Sequence, residues 1–269
     1  MTKPFRFGVV VGHTPDLKSF TEVARRAEDL GYDTLLAPDP IGEFDPLTVL
    51  SAAAAVTTTL RLGTFVLAES FRDSEMLDWQ SNTLHTLTGG RFELGLGTGR
   101  PGARERTVGL GREYGSGGQR LERLAETLAY LKRREDRPPL LLAGVGPKIV
   151  RLAGREADIL SVAVPPWKTE ADLRSTVDIF REEAGTRDVE LGLNLLAINH
   201  ESSPWLKQLT GRDTPELAAL GAVTVLPGSP TEAADLLRRR RDELGISYFK
   251  VNSALMEDFA PVLTILHSP

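Results

Sequence analysis

Two glycine-rich stretches mark where this chain could hold a charged ligand. One reads Gly97-Thr98-Gly99-Arg100 and the other Ala143-Gly144-Val145-Gly146-Pro147. Each follows an apolar run and leads toward a helical pattern. Glycines let the backbone approach a ligand closely and expose its N–H groups, which suits an anionic group beside a helix N-terminus. Plain turn chemistry selects the same residues, so either stretch alone fits both readings. Their occurrence at successive strand ends favours a phosphate-bearing ligand. Groups able to move protons or hold charge lie nearby. His13, after the first apolar run, could donate a proton or bind substrate, or sit in a solvated loop. Arg100, Arg104 and Arg106 crowd one loop, with Glu105 partly neutralising them; Arg100, beside Thr98-Gly99, is placed to grip a carboxylate, an amide oxygen or an acidic tail. Glu43 and Glu69 are further possible acids or ordinary loop charges. Trp167 and Trp205 could line a pocket or pack at a rim. His85 falls in a helical pattern and is expected to pack, His200 could serve either role, and His267 is expected to be solvated. The run Arg238 to Arg241 lies on a helix and reads as a solvated face.

Composition excludes other chemistries. The chain has 269 residues and no cysteine, so thiolate zinc sites, iron–sulfur clusters and disulfides are ruled out. Lys plus Arg is 32 against 37 Asp plus Glu, a net charge of −5, which disfavours nucleic acid as a partner. Apolar residues make up 41%, enough for a core. No run reaches the roughly 18 apolar residues of a membrane span. The opening MTKPFRFGVVVG reads as a strand, not a signal peptide. A soluble, cytoplasmic protein is expected.

The elements that must position these residues alternate. Strand-like runs are Phe5–Val11, Tyr32–Ala37, Arg61–Ala68, Arg91–Gly97, Leu140–Ala143, Asp158–Ala163, Val189–Ile198 and Ser247–Asn252. Helical patterns follow each. Thr14-Pro15 reads as cap and first turn of one helix, and Ser229-Pro230-Thr231-Glu232 as the capping box of another. The strands are nearly continuous in apolar residues, as expected of strands buried on both faces. Eight such units in about 250 residues predict a (β/α)8 TIM barrel, with an open doubly wound sheet as the alternative. No linker or low-complexity tract divides the chain, so residues 1–269 are expected to form one domain. Residues 199–228, between strands seven and eight, are a long, weakly patterned excursion. In such a barrel the active site lies where strands end, which is where the glycine-rich stretches and His13 fall.

Several motifs carry a family resemblance. Arg61-Leu62-Gly63-Thr64, then Gly89-Gly90-Arg91-Phe92-Glu93-Leu94-Gly95-Leu96-Gly97-Thr98-Gly99, resemble the luciferase-like monooxygenase superfamily. Ala24 to Asp33, Pro139 to Pro147, Ala157-Asp158-Ile159 and Gly245-Ile246-Ser247-Tyr248 add to the match. The resemblance implies a (β/α)8 barrel binding reduced flavin mononucleotide (FMN) or the deazaflavin coenzyme F420. Relatives of bacterial luciferase tend to place an Arg for the flavin phosphate where this chain has Thr98. Gly97-Thr98-Gly99 and the Ala143, Gly144, Val145, Gly146 and Pro147 loop look more like the deazaflavin branch, as does Asp39 at the end of strand two. The resemblance also implies a bulge in strand three with a non-prolyl cis peptide at Phe65–Val66, behind the cofactor ring.

Departures from the pattern bear on the reaction. Pro40 stands where the family usually has His, Arg72-Asp73-Ser74 where it reads R-H-P, and Arg100 where sugar-phosphate dehydrogenases of the deazaflavin branch carry Glu. The cofactor site is intact and the usual acids are missing. The resemblance therefore implies an F420-dependent reductase acting on an activated C=C bond, of enoyl or dehydroamino-acid type, in a small molecule or peptide of secondary metabolism, with His13 and Arg100 as its catalytic candidates. An FMN-dependent monooxygenase and a non-catalytic flavin-binding barrel are the alternatives. No nucleic-acid or membrane partner and no metal are expected; a homodimer is possible.

Overall fold

The computed structural model describes residues 3–39, 44–100, 102–198 and 204–267. Pro40, Glu43, His200 and the Trp205 side chain lie outside them. The strands are β1 (Arg6–Val10), β2 (Thr34–Ala37), β3 (Arg61–Thr64), β4 (Leu67–Ala68), β5 (Phe92–Gly97), β6 (Leu140–Gly144), β7 (Ile159–Val162), β8 (Glu190–Leu195), β9 (Ala197–Ile198), β10 (Val225–Leu226) and β11 (Ile246–Asn252). Every ladder is parallel. β11 pairs with β1 and β3 with β5, so the sheet closes into the expected eight-stranded (β/α)8 barrel. β9 and β10 pair with each other apart from it.

Alternation assigns each strand residue to one of two cores. Phe7, Val9, Leu35, Leu62, Phe92 and Leu94 point outward and pack under the helices. Leu36, Leu141, Ile159 and Tyr248 point inward and fill the middle of the barrel. Both sets are buried, which is why the strands read as unbroken apolar runs. Helix starts follow side-chain caps. Asp16, not Thr14, caps Leu17–Asp29, its carboxylate accepting the Ser19 N–H at 2.8 Å. Ser229 caps Pro230–Leu244 as expected, accepting the Glu232 N–H at 3.2 Å.

Strand three is not continuous. Gly63 pairs with Glu93 but Leu67 with Leu96, so Thr64–Val66 holds one residue more than the facing strand. The Phe65–Val66 peptide is cis, at the position the resemblance implied. Thr64 bridges the gap: its hydroxyl donates to the Gly95 carbonyl at 2.9 Å and accepts the Gly95 N–H at 2.8 Å. A Cβ on Gly95 would lie 2.0 Å from the Thr64 carbonyl oxygen, a backbone atom that no rotamer change moves. Gly95→Ala is therefore expected to destabilise the protein by about 3 kcal/mol, the upper end of typical overpacking costs. Urea denaturation checks this; an unchanged midpoint would show that β3 shifts freely.

The excursion has structure that its weak pattern hid. It carries helices Pro204–Thr210 and Thr214–Ala219 and strand β10, and Leu206, Leu217, Ala222 and Val225 join Ala197 in a small core of their own. Arg240 anchors it. That residue was expected on a solvated face, yet it is 4% exposed and donates to the Val223 carbonyl at 2.9 Å. Burial pushes its guanidinium down to about 10. The neighbours Arg238 and Arg239 are solvated as expected.

Candidate active site

A cavity of about 300 Å³ opens at the C-terminal ends of the strands, the end where barrels of this type hold their sites. Its size is at the small end of the range for organic ligands. Three walls form it. Phe65 and Val66, from the bulge, and Ala68 and Phe71, just beyond, make an apolar side. Gly97, Thr98, Gly99, Arg100 and Ala103 make the side after β5. Ala143 and Ala163 make the third, with Pro38 and Asp39 at the edge. Asp39, Phe65, Val66, Gly97, Thr98, Gly99, Arg100 and Ala143 are thus brought together around one cavity. Pro38, Ala68, Phe71, Ala103 and Ala163 were not foreseen, because apolar or small residues beyond strand ends carry no chemical signal.

His13 lies apart from them. It is exposed and is not among the residues that line this cavity. β1 ends at Val10, and Val11, Gly12 and Thr14 line a second, small crevice with Phe20 and Val49, which meets the cavity at Pro38. Gly144, Val145, Gly146 and Pro147 also do not line the cavity; they lead from it into the helix Pro147–Glu156, of which Gly146 is the N-cap residue. A Cβ on Gly146 would meet nothing within 4 Å, so a ligand could approach the backbone there. Gly144 differs: its Cβ would meet Ile149 Cγ2 at 2.4 Å. Gly99 has φ +88° and a Cβ would fall 2.9 Å from that of Ala103, so the turn after β5 itself requires glycine. Gly99 and Gly144 are thus fixed by the chain's own packing, whereas the backbone at Gly146 is open.

Salt bridges fix the rim. The Asp39 carboxylate accepts the Ala68 N–H at 3.1 Å and pairs with Arg72 at 2.5 Å. Arg72 also lies 3.5 Å from Asp45, and its carbonyl accepts from Arg112 at 2.7 Å. Of the departing triplet Arg72-Asp73-Ser74, then, Arg72 neutralises the rim carboxylate. Asp73 caps the helix Ser74–Leu87 by accepting the N–H groups of Glu75 and Met76. Arg120 ties down the loop after β5, donating to the Thr98 carbonyl at 3.1 Å and lying 4.1 Å over the Tyr114 ring. Glu69 is buried and pairs with Arg123 at 3.3 Å; burial raises its carboxyl. Arg100 is exposed and is the basic residue among those lining the cavity. Arg104 and Arg106 are exposed on the helix Ala103–Gly109 and are not among its lining.

Other residues resolve as packing. His85 is buried and its Nδ1 hydrogen-bonds the Phe92 carbonyl at 3.0 Å. Trp167 is 44% exposed, with Arg212 5.9 Å over its ring, and is not among the residues of the cavity. His267 is exposed and sets its ring edge against Phe7. The described residues hold no group of three His, Asp or Glu side chains arranged for a metal, and no helix among them is long and apolar enough to cross a membrane.

Fold and site together define a parallel (β/α)8 barrel with a bulged third strand and a ligand cavity at its mouth. The chain belongs to the luciferase-like monooxygenase family, whose profile matches residues 1–204. Among curated proteins it is 27% identical over 225 residues to an F420-dependent glucose-6-phosphate dehydrogenase of Microbacterium testaceum, covering 70% of this chain and 66% of that one. The match to the enzyme of the same name from Intrasporangium calvum is 30% identical and covers 49% of this chain and 50% of that one. The chain thus spans between half and two thirds of the length of these relatives. Among solved structures, an F420-dependent secondary alcohol dehydrogenase bound to an F420–acetone adduct superposes with a TM-score of 0.77 at 18% identity, covering 99% of this chain and 100% of that one.

Proposed function

We infer that this chain is an F420-dependent oxidoreductase that reduces an activated C=C bond in a small-molecule or peptide substrate. The observation that carries the cofactor is the cavity itself. Its apolar side of Phe65, Val66, Ala68 and Phe71 faces small residues, Ala143 and Ala163, and suits a planar aromatic ring. The open backbone at Gly146, ahead of Pro147–Glu156, suits an anionic tail. Thr98 offers no guanidinium to a flavin phosphate, and Arg120 beside it is engaged with Thr98, Gly115 and Tyr114. The curated relatives named above use F420, which supports the same choice.

When bound and reduced, a deazaflavin supplies a hydride. The chain's own part is to position substrate, exclude water and stabilise charge. Arg100 is placed to polarise a carbonyl conjugated to the alkene. The Asp39 carboxylate is engaged by Arg72 and by the Ala68 N–H. Arg100, where sugar-phosphate dehydrogenases have Glu, favours reduction over alcohol oxidation. The test is single-turnover oxidation of the reduced coenzyme by a dehydroalanine-type alkene and, separately, reduction of the oxidised coenzyme by glucose 6-phosphate and 2-propanol. Turnover with the alkene alone is expected. Turnover with an alcohol alone would overturn the assignment.

A further inference from the structure

The upper barrel interior holds three polar side chains that the account above leaves unused. Ser161 on β7 is 1% exposed, and its hydroxyl has no hydrogen-bond partner. Asn194 on β8 has a buried Oδ1 that likewise has none. Lys250 on β11 is fully buried, and its Nζ makes one long bond, 3.4 Å, to the Tyr248 carbonyl. Buried polar groups normally find partners, so three together are unusual.

Register brings them together. Lys250 pairs with Asn194, and Ser161 pairs with Gly192. A Cβ on Gly192 would lie 2.3 Å from Lys250 Nζ, so the ammonium lies over this glycine. Gly192 is the ladder partner of Ser161 and also lies under the ammonium, which sets Ser161 beside it. The cluster also adjoins the cavity. Ser161 is the strand partner of Ala143 and stands two residues before Ala163, on the same face as both, and both line the cavity. Lys250 Nζ is 5.4 Å from the ring centroid of Phe65, which lines it as well.

The geometry points to a polar subsite at the base of the cavity, formed by Ser161 and Lys250, that takes a negatively charged oxygen of a bound organic ligand, with the Asn194 Oδ1 as an acceptor for the ammonium and not for the ligand oxygen. Lys and Ser supply donors, and Gly192 leaves the ammonium room to swing toward the cavity. The charged groups around Lys250 are Glu93 on β5, Glu190 on β8 and Arg6 on β1, with the Tyr248 ring of its own strand 4.0 Å from Nζ. Burial, the largest influence, pushes its amine down to about 7 against the two carboxylates. An anion beside it would draw a proton onto it. The oxygen could belong to a substrate carboxylate or to the cofactor ring. The subsite rests on the proposed function in its choice of probes, the coenzyme and a dehydroalanine-type alkene.

Calorimetric titration of wild type, Lys250→Met and Ser161→Ala with 2-acetamidoacrylate, its primary amide and oxidised coenzyme F420 tests this. If a substrate carboxylate occupies the subsite, both variants bind the acrylate roughly tenfold more weakly, the scale of one lost charge-assisted hydrogen bond, and bind the amide and coenzyme as before. If the cofactor ring occupies it, both lose coenzyme affinity by a similar factor. In either case, titration in two buffers of different ionisation enthalpy shows proton uptake near neutral pH in wild type and none in Lys250→Met. Folded variants that match wild type with all three probes overturn the subsite; should Lys250→Met fail to fold, unchanged binding by Ser161→Ala does so alone. If wild type binds no coenzyme, the F420 assignment fails, and the acrylate titration still decides the subsite.

Discussion

Arg100→Met is expected to slow single-turnover reduction of an activated alkene by roughly 10²-fold, the scale of losing one oxyanion donor. Hydride addition pushes negative charge onto the carbonyl oxygen at the far end of the conjugated system. A guanidinium aimed there binds the transition state more strongly than the ground state, and only such differential binding raises the rate. Arg100 is the basic residue among those lining the cavity, and it follows the Gly97–Gly99 turn directly. That turn is held in place: Gly99 has φ +88° and Arg120 bonds the Thr98 carbonyl at 3.1 Å. A Glu in this position would donate no hydrogen bond when ionised. Coenzyme affinity should change much less than the rate. Stopped-flow loss of the reduced coenzyme's absorbance measures the rate, and titration measures the affinity. A variant with wild-type rate and weak coenzyme binding would make Arg100 a grip on the anionic tail instead.

Arg6→Met is expected to cost about 3–5 kcal/mol of stability, the price of leaving buried charges without their partner. Arg6 sits inside the barrel at the N-terminal end of β1. It pairs with Glu190 at 2.5 Å and Glu93 at 2.7 Å, donates to Thr34 at 3.0 Å and lies 4.1 Å over the Tyr248 ring. Tyr248 in turn donates to Glu93 at 2.8 Å. Glu93 is 0% exposed and Glu190 8%. Burial already raises the Glu190 carboxyl despite Arg6, so without Arg6 that carboxyl should titrate higher still. A carboxyl whose folded pKa is raised stabilises the fold below its unfolded pKa and loses that contribution as pH rises through the folded value. The deficit of the variant should therefore be largest near neutral pH and shrink as the pH falls toward the ordinary carboxylate range. Urea denaturation at several pH values measures it. A loss under about 1 kcal/mol at neutral pH would show that Lys250 and Arg61 neutralise the cluster unaided.

The sequence made the barrel legible because strands buried on both faces alternate with capped amphipathic helices. It placed Gly97 to Arg100 and Ala143 at strand ends, and all of them meet in one cavity. The bulge at Phe65–Val66 came from family resemblance and not from pattern, since Arg61–Ala68 reads as one apolar run. What stayed hidden has physical causes. In a strand buried on both sides, composition does not tell inward from outward residues, so Ser161 and Lys250 gave no sign of sharing a face. Arg72 and Asp39 are 33 positions apart, and only the closed barrel joins them. Arg240 sits in a run of arginines whose neighbours are solvated, and its burial depends on an excursion that packs its own small core. His13 falls after the first apolar run, yet it is exposed and is not among the residues lining the cavity, which come from the ends of the later strands.

The account rests most directly on which cofactor the cavity takes. Titrating the purified protein with coenzyme F420 and with FMN, each followed by fluorescence quenching, decides it. The expected result is that F420 binds at least tenfold more tightly, a difference of about 1.4 kcal/mol that one absent phosphate contact at Thr98 is enough to produce. Equal affinities, or tighter binding of FMN, would contradict the deazaflavin assignment and point to a flavin monooxygenase instead.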